Sequence, residues 1–128
     1  VAYKNNHNIL ILTERLEHID TLINLLVFEG VSKSDIGKLT ATVKEIDKKV
    51  IVGTYGSAGL GLDIPSLSCV IFATPRADVI QPVGRVTRAK DRTPVVIDIV
   101  DEASNLMEQW FNKRLRFYRK LTKDIVYV

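Results

Sequence analysis

Residues 8–30 read NILILTERLEHIDTLINLLVFEG, and this stretch decides the fold. Asn8 to Thr13 is a short run of Leu and β-branched residues that predicts a strand. Thr13 is placed to cap a following helix, on which Leu16, Ile19, Ile23 and Leu26 form one apolar stripe. Gly30 is placed to end it. The same alternation continues along the chain. A weaker strand is expected near Ile36 to Thr40, a charged stretch from Lys44 to Lys49, and a firm strand at Val50 to Thr54. Ser68 to Ala73 predicts another strand, Asp78 to Ala89 a helix, Pro94 to Val100 a strand, and Glu102 to about Leu121 a long helix. Asp124 to Val128 predicts a short final strand. Near-continuous apolar strands separated by helices imply an open, mostly parallel α/β sheet covered on both faces. Ligands of such sheets lie outside the carboxyl ends of the strands, so the Thr54 to Asp63 loop and the loop before Gln81 should share one edge.

The length of 128 residues is that of one ordinary domain, so residues 1–128 are expected to form a single unit. With 46% hydrophobic and 26% charged residues, the composition is that of a globular protein. No window is apolar enough for a bilayer span or a signal peptide, and the expectation is a soluble, intracellular protein without membrane contact. Cys69 lies in the apolar run Cys-Val-Ile-Phe and reads as a small buried hydrophobe. His7 and His18 stand in no cluster at metal spacing, so no metal site is expected and both read as surface or packing residues. A net charge of +3 favours a polyanionic partner only weakly. Its distribution says more: Lys113, Arg114, Arg116, Arg119, Lys120 and Lys123 crowd one segment. On that last helix, Leu106, Met107, Trp110, Phe111, Phe117, Tyr118 and Leu121 form a broad apolar arc with a structural reading for Trp110. Arg114 falls inside the arc and must snorkel, pair with a carboxylate or meet a partner.

Two strings carry chemistry. Residues 81–88, QPVGRVTR, put Gln81, Arg85 and Arg88 on one helical face, with Gly84 leaving that face without bulk. Two guanidinium forks beside a glycine suit the equatorial oxygens of a transferring phosphoryl group. The same string also fits a capped, solvated surface, since Asp78 and Gln81 have capping-box spacing. The second string, TYGSAGLGLDIP, begins at Thr54 directly after a strand. Its glycines free the backbone to meet a phosphate, while Thr54, Tyr55 and Ser57 offer hydroxyls and Asp63 an acceptor. A plain turn fits it as well. Gly56 and Gly61 have P-loop spacing, but Leu62 and Asp63 stand where Lys and Ser/Thr are needed. Gly59 and Gly61 lack the third glycine of a dinucleotide fingerprint. Asp101, Glu102 and Ala103 imitate a magnesium-binding box, but no P-loop precedes them, and they read as helix-start residues.

Taken in order, these strings resemble the second, C-terminal RecA-like lobe of superfamily 2 helicases and nucleic-acid translocases. The resemblance runs almost end to end: NILILT with its helix is similar to the motif IV region, TYGSAGLGLDIP to motif V, and QPVGRVTR to motif VI. It implies that ATP and Mg2+ are held mainly by an N-terminal lobe that these residues do not contain. By the same resemblance Arg85 and Arg88 are arginine fingers and Gln81 a γ-phosphate sensor. Gly59, Gly61, Asp63 and Gly84 are implied on the nucleotide side. Thr54, Tyr55, Gly56 and Ser57 are implied against the nucleic-acid backbone, with Thr13 and Arg15 adding a further contact. The RNA-specialised DEAD-box branch usually has His where Gln81 stands and Gly where Thr87 stands, so the resemblance favours DNA and the restriction-type, repair-type and viral helicase lobes. Lys, Ile and Asn content points to a large DNA virus or phage, hence to host cytoplasm or virion. Two other readings fit the strings: an RNA helicase lobe, or a stand-alone phosphate or nucleic-acid adaptor without ATP turnover.

Overall fold

The computed structural model describes residues 3, 7–58, 67–74, 79, 82–84, 93–99 and 105–127. Its elements are β1 (Asn8–Thr13), α1 (Glu17–Phe28), a 3-10 turn (Lys33–Asp35), β2 (Ile36–Leu39), β3 (Val50–Thr54), α2 (Tyr55–Ala58), β4 (Leu67–Phe72), β5 (Val95–Asp98) and α3 (Asn105–Leu121). The five strands form one sheet in the order β2-β3-β1-β4-β5, and every neighbouring pair is parallel. This is the open parallel α/β sheet that the alternation of strands and helices predicts, in keeping with the RecA-like lobe that the resemblance implies.

Successive strand residues point to opposite faces, and β1 divides accordingly. Leu10 and Leu12 join Leu39, Ile51, Val70 and Phe72 in one core, against which Phe117 and Tyr118 of α3 pack. Ile9 and Ile11 join Val50, Val52 and Cys69 in the other, against Ile19, Leu22, Ile23 and Leu26 of α1. Each fully buried Leu or Ile contributes roughly 1.5–3 kcal/mol, so a strand apolar on both sides must be sandwiched.

The start of α1 differs from the sequence expectation. Thr13 does not cap it: the strand runs through Thr13, and the helix begins four positions later at Glu17. Leu16 occupies the cap position with no side-chain bond and is 62% exposed, so it also leaves the predicted stripe. The first turn is closed by backbone, with the His18 and Ile19 amides donating to the carbonyls of Arg15 and Leu16. The end agrees with expectation. Gly30 has φ of 104°, a left-handed conformation, and the amides of Gly30 and Val31 donate to the carbonyls of Val27 and Leu26. That pair of bonds is a Schellman stop.

The charged stretch before β3 covers a sheet edge. Lys44 bridges Leu39 in antiparallel fashion, and the Glu45 amide donates to the Lys38 carbonyl at 2.9 Å. Gly37 permits this crossing, because a Cβ there would lie 2.2 Å from the Glu45 carbonyl oxygen. An edge strand is thereby shielded from foreign pairing.

The predicted final strand does not form among residues 124–127. Thr122 still closes the helix onto the Tyr118 carbonyl, the Asp124 amide then turns onto the Thr122 hydroxyl, and Val126 and Tyr127 point into solvent. Of the predicted helix at Asp78 to Ala89, Pro82 to Gly84 are helical, Val79 is described and is not, and the other positions lie outside the described residues, as do Asp101 and Glu102.

Candidate functional site

The carboxyl edge of the sheet gathers the ends of β1, β3, β4 and β5. Thr13 stands beside Thr54 in register, Leu12 beside Phe72, and Phe72 beside Asp98. The chain leaving β3 turns at once into α2. Thr54 accepts the Ser57 amide at 3.2 Å and donates its hydroxyl to the Ser57 hydroxyl at 2.8 Å, so it is the N-cap of this turn.

Tyr55 and Ser57 are buried, not displayed. The Tyr55 ring stacks on Phe72 with centroids 6.0 Å apart, and its hydroxyl donates to the Thr74 carbonyl at 2.7 Å. These two residues anchor the turn. Gly56 is exposed, and a Cβ there would meet nothing within 4 Å, so its backbone stands clear at the edge. Thr13 is fully buried, its hydroxyl 3.4 Å from His18 Nδ1. Arg15 by contrast projects into solvent, where it pairs with Glu17 at 3.3 Å. An ion pair so exposed is worth at most about 1 kcal/mol, so the guanidinium is free to exchange partners.

Thr74 is the residue that sequence reading missed. Its hydroxyl accepts the Glu14 amide at 2.8 Å while its carbonyl accepts Tyr55, tying the ends of β1 and β3 to that of β4. The signal lay in the Ala-Thr-Pro that follows an apolar strand, a run with no chemistry of its own.

A second buried cluster adjoins this edge. Arg114 is 1% exposed and grips Asp98 with two bonds, Nε to Oδ2 at 2.6 Å and an Nη to Oδ1 at 3.0 Å. The Tyr118 hydroxyl donates to the same Oδ2 at 2.6 Å. Of the three options open to Arg114, the carboxylate is the one realised. Burial, and next the Asp98 carboxylate, raise the pKa of the Tyr118 phenol and keep it a donor. Burial also pushes the Cys69 thiol up to about 11, as expected of a small core hydrophobe.

Val79 and Val83 are both buried in the core beneath α3, linked by a Val83 amide to Val79 carbonyl bond of 3.1 Å. Gly84 follows, and a Cβ at this position would meet nothing within 4 Å. Gln81, Arg85, Arg88, Gly59, Gly61 and Asp63 lie outside the described residues. Among the described residues no three His, Cys, Asp or Glu side chains gather to hold a metal ion. None of the described helices is long and apolar enough to cross a membrane.

No family model matches the chain. A protein of Acanthamoeba polyphaga mimivirus, provisionally named an ATP-dependent RNA helicase, is 36% identical over 126 residues, which are 92% of this chain and 24% of that protein. A provisionally named helicase of Invertebrate iridescent virus 6 is 30% identical over 112 residues, covering 84% of this chain and 25% of that one. An African swine fever virus protein, also provisionally named an ATP-dependent RNA helicase, is 31% identical over 85 residues, 63% of this chain and 16% of its own. The chain thus spans about a quarter of the length of the first two relatives. Among solved structures, the E. coli DEAD-box protein SrmB superposes with a TM-score of 0.68 at 19% identity over 91% of this chain and 73% of its own. The C-terminal domain of the DEAD-box protein Dbp5 gives 0.64 at 21% identity over 94% and 72%. The Sulfolobus solfataricus SWI2/SNF2 ATPase core gives 0.66 at 20% over 98% and 28%. The chain therefore has the RecA-like α/β fold of these structures, and over most of its length it is similar in sequence to viral proteins provisionally named helicases.

Proposed function

We propose that the chain is the second motor lobe of an ATP-dependent nucleic-acid helicase or translocase. Its part is to complete, with Arg85 and Arg88, an ATP site held mainly by an N-terminal lobe. The observation that carries this reading is the crowding of a capped turn with an exposed glycine, Thr54 to Ala58, and the buried Val79 and Val83 at one sheet edge. On a helical period, positions 81, 85 and 88 fall on the side away from Val83. A helix running on through position 88 would therefore turn Gln81, Arg85 and Arg88 away from the core that buries Val83.

In this reading the guanidiniums neutralise charge that develops on the γ-phosphate when the lobes close, and Gln81 senses the same group. The residues of this lobe fit a phosphate rather than its metal, since the described part offers no cluster of carboxylates. Mg2+ would belong with the other lobe, where it would supply further charge neutralisation to the phosphates. In the same reading Gly59, Gly61 and Asp63 serve the nucleotide. The strand's phosphates and sugars meet Thr54, the Gly56 backbone and Arg15, which track a backbone without reading bases. Tyr55, Ser57 and Thr13 serve that surface from beneath, as its anchors.

Gln81 and Thr87 favour DNA as the strand. The names of the mimivirus and African swine fever virus relatives favour RNA, which is the second reading. ATP hydrolysis by the protein carrying both lobes, with single-stranded DNA and RNA as separate stimulators, tests both. The expected result is stimulation of several-fold or more by DNA and less by RNA, with negligible turnover by this chain alone. Stimulation by RNA alone would transfer the assignment to RNA, and turnover indifferent to either polymer would remove the motor reading. The working compartment follows as the interior of a host cell or a virion.

A further inference from the structure

Among the described residues, the outer face of α3 carries a one-sided charge distribution. The helix carries five cations and one acid, Glu108, a net of +4, against +3 for the whole chain. Arg114 is spent inside on Asp98. Lys113, Arg116, Arg119 and Lys120 are all exposed, and none has an ion-pair partner among the described residues. At about 100° per residue these four fall within roughly 120° of the helix circumference, and the other residues of that arc, Asn105, Gln109 and Asn112, are amides.

An ordinary solvated helix face mixes signs and gains from opposite charges at i+3 and i+4. Here the neighbours at those spacings are Lys113 with Arg116, and Arg116 with both Arg119 and Lys120, all of like charge. Each such pair opposes the helix. The helix is nonetheless held rigidly, because Arg114 and Tyr118, on the same turns, bond to Asp98 at the carboxyl end of β5. The basic face is therefore held in a fixed orientation, on the side of α3 away from the Asp98 cluster. Lys113, Arg116 and Arg119 rise about 4.5 Å from one to the next along the axis, with Lys120 about 1.5 Å further on, close enough to engage successive phosphates.

We propose that this face of α3 is a track for the phosphate backbone of a nucleic-acid strand, in addition to the contacts at the Thr54 turn. The fit is one of charge: a regular polyanion neutralises all four side chains at once, and contacts of this type are independent of base sequence. The inference does not rest on the roles of Arg85 and Arg88, because its readout is binding and not ATP turnover.

The test is fluorescence anisotropy of the 128-residue chain with two labelled single-stranded oligonucleotides of unrelated sequence, across a salt series. Replacing Arg116, Arg119 and Lys120 together by Gln should lower the slope of log affinity against log salt by about 2 and weaken binding about 100-fold at 0.1 M salt, equally for both sequences. Replacing Lys33, Lys44 and Lys48 by Gln removes the same charge elsewhere and should leave the slope within about 0.5 of the parent. Equal losses in both triple variants, or no loss in the first, would overturn the proposal. Tighter binding of polyglutamate than of either oligonucleotide would overturn it too. In the unsubstituted chain, oligonucleotide should protect Lys113 and Lys120 from acetylation, and labelling unchanged by oligonucleotide would contradict the track without reference to any variant.

Discussion

The two helices that cover the sheet are fastened by different physics. α1 lies on a face made of Ile9, Ile11, Val50, Val52 and Cys69, and it is docked by apolar area and stopped by Gly30. α3 lies on the opposite face and adds to its packing a buried ion pair with a tyrosine on the same carboxylate oxygen. Area is forgiving of small shifts, whereas hydrogen bonds of 2.6–3.0 Å fix a helix in register. The side with directed bonds is the one whose cluster borders the carboxyl edge beside Thr54 and Thr74. The directed bonds thus lie on the side where phosphate contacts are proposed, and the far face is left to the hydrophobic effect.

Breaking the α3 fastening should cost most. Asp98→Ala leaves Arg114 buried without its carboxylate, and a loss of about 3–5 kcal/mol in unfolding free energy by urea titration is expected. Replacing the pair together, Asp98→Leu with Arg114→Met, should recover most of that stability, because the desolvation of both charges disappears with them. If the double variant is as unstable as Asp98→Ala, the pair stabilises by more than neutralising itself, and the contrast drawn here is too weak. On the other side, Ile19→Ala removes a residue 2% exposed from the α1 core and should cost about 2–4 kcal/mol. Any change in the Asp98 cluster on that substitution, read from the Tyr118 ring resonances, would show the two faces to be coupled.

Alkaline pH should separate the faces by the smallest margin. The Cys69 thiol, buried on the α1 side, has its pKa raised from an ordinary 9.0 to about 11. A raised pKa contributes stability that is complete below the unfolded value and is lost as pH rises through the folded one. The melting temperature should therefore fall between about pH 9 and 11, and Cys69→Ala should flatten that fall. The Tyr118 phenol is also raised, by burial and by Asp98, so it too holds its proton across the lower part of this window. An unchanged slope in Cys69→Ala would assign the transition elsewhere.

The sheet was legible because its code is local. Ile9 to Leu12 and Val50 to Val52 are apolar at every position, which only a strand buried on both sides requires. The stop at Gly30 was legible for the same reason, since a left-handed residue calls for glycine. The start of α1 was not: Thr13 has the chemistry of a cap, but its pairing with Thr54 in the sheet outweighs what a cap contributes. Tyr55 and Ser57 were read as surface hydroxyls because polarity in a glycine-rich loop suggests display. The structure turns them inward, since Phe72 offers a stacking partner and Thr74 a carbonyl from seventeen and nineteen positions along the chain. Long-range partners such as Thr74 for Glu14, or Asp98 for Arg114, leave no spacing in the sequence by which to find them.

The central claim is that Gln81 to Arg88 supplies half of an ATP site. It is tested most directly by steady-state ATP hydrolysis of the protein carrying both lobes, with saturating nucleic acid, in the Arg85→Ala and Arg88→Ala variants. Each variant should lose about 10³-fold or more in turnover while retaining its affinity for nucleic acid. Turnover within about threefold of the parent in both variants would contradict it.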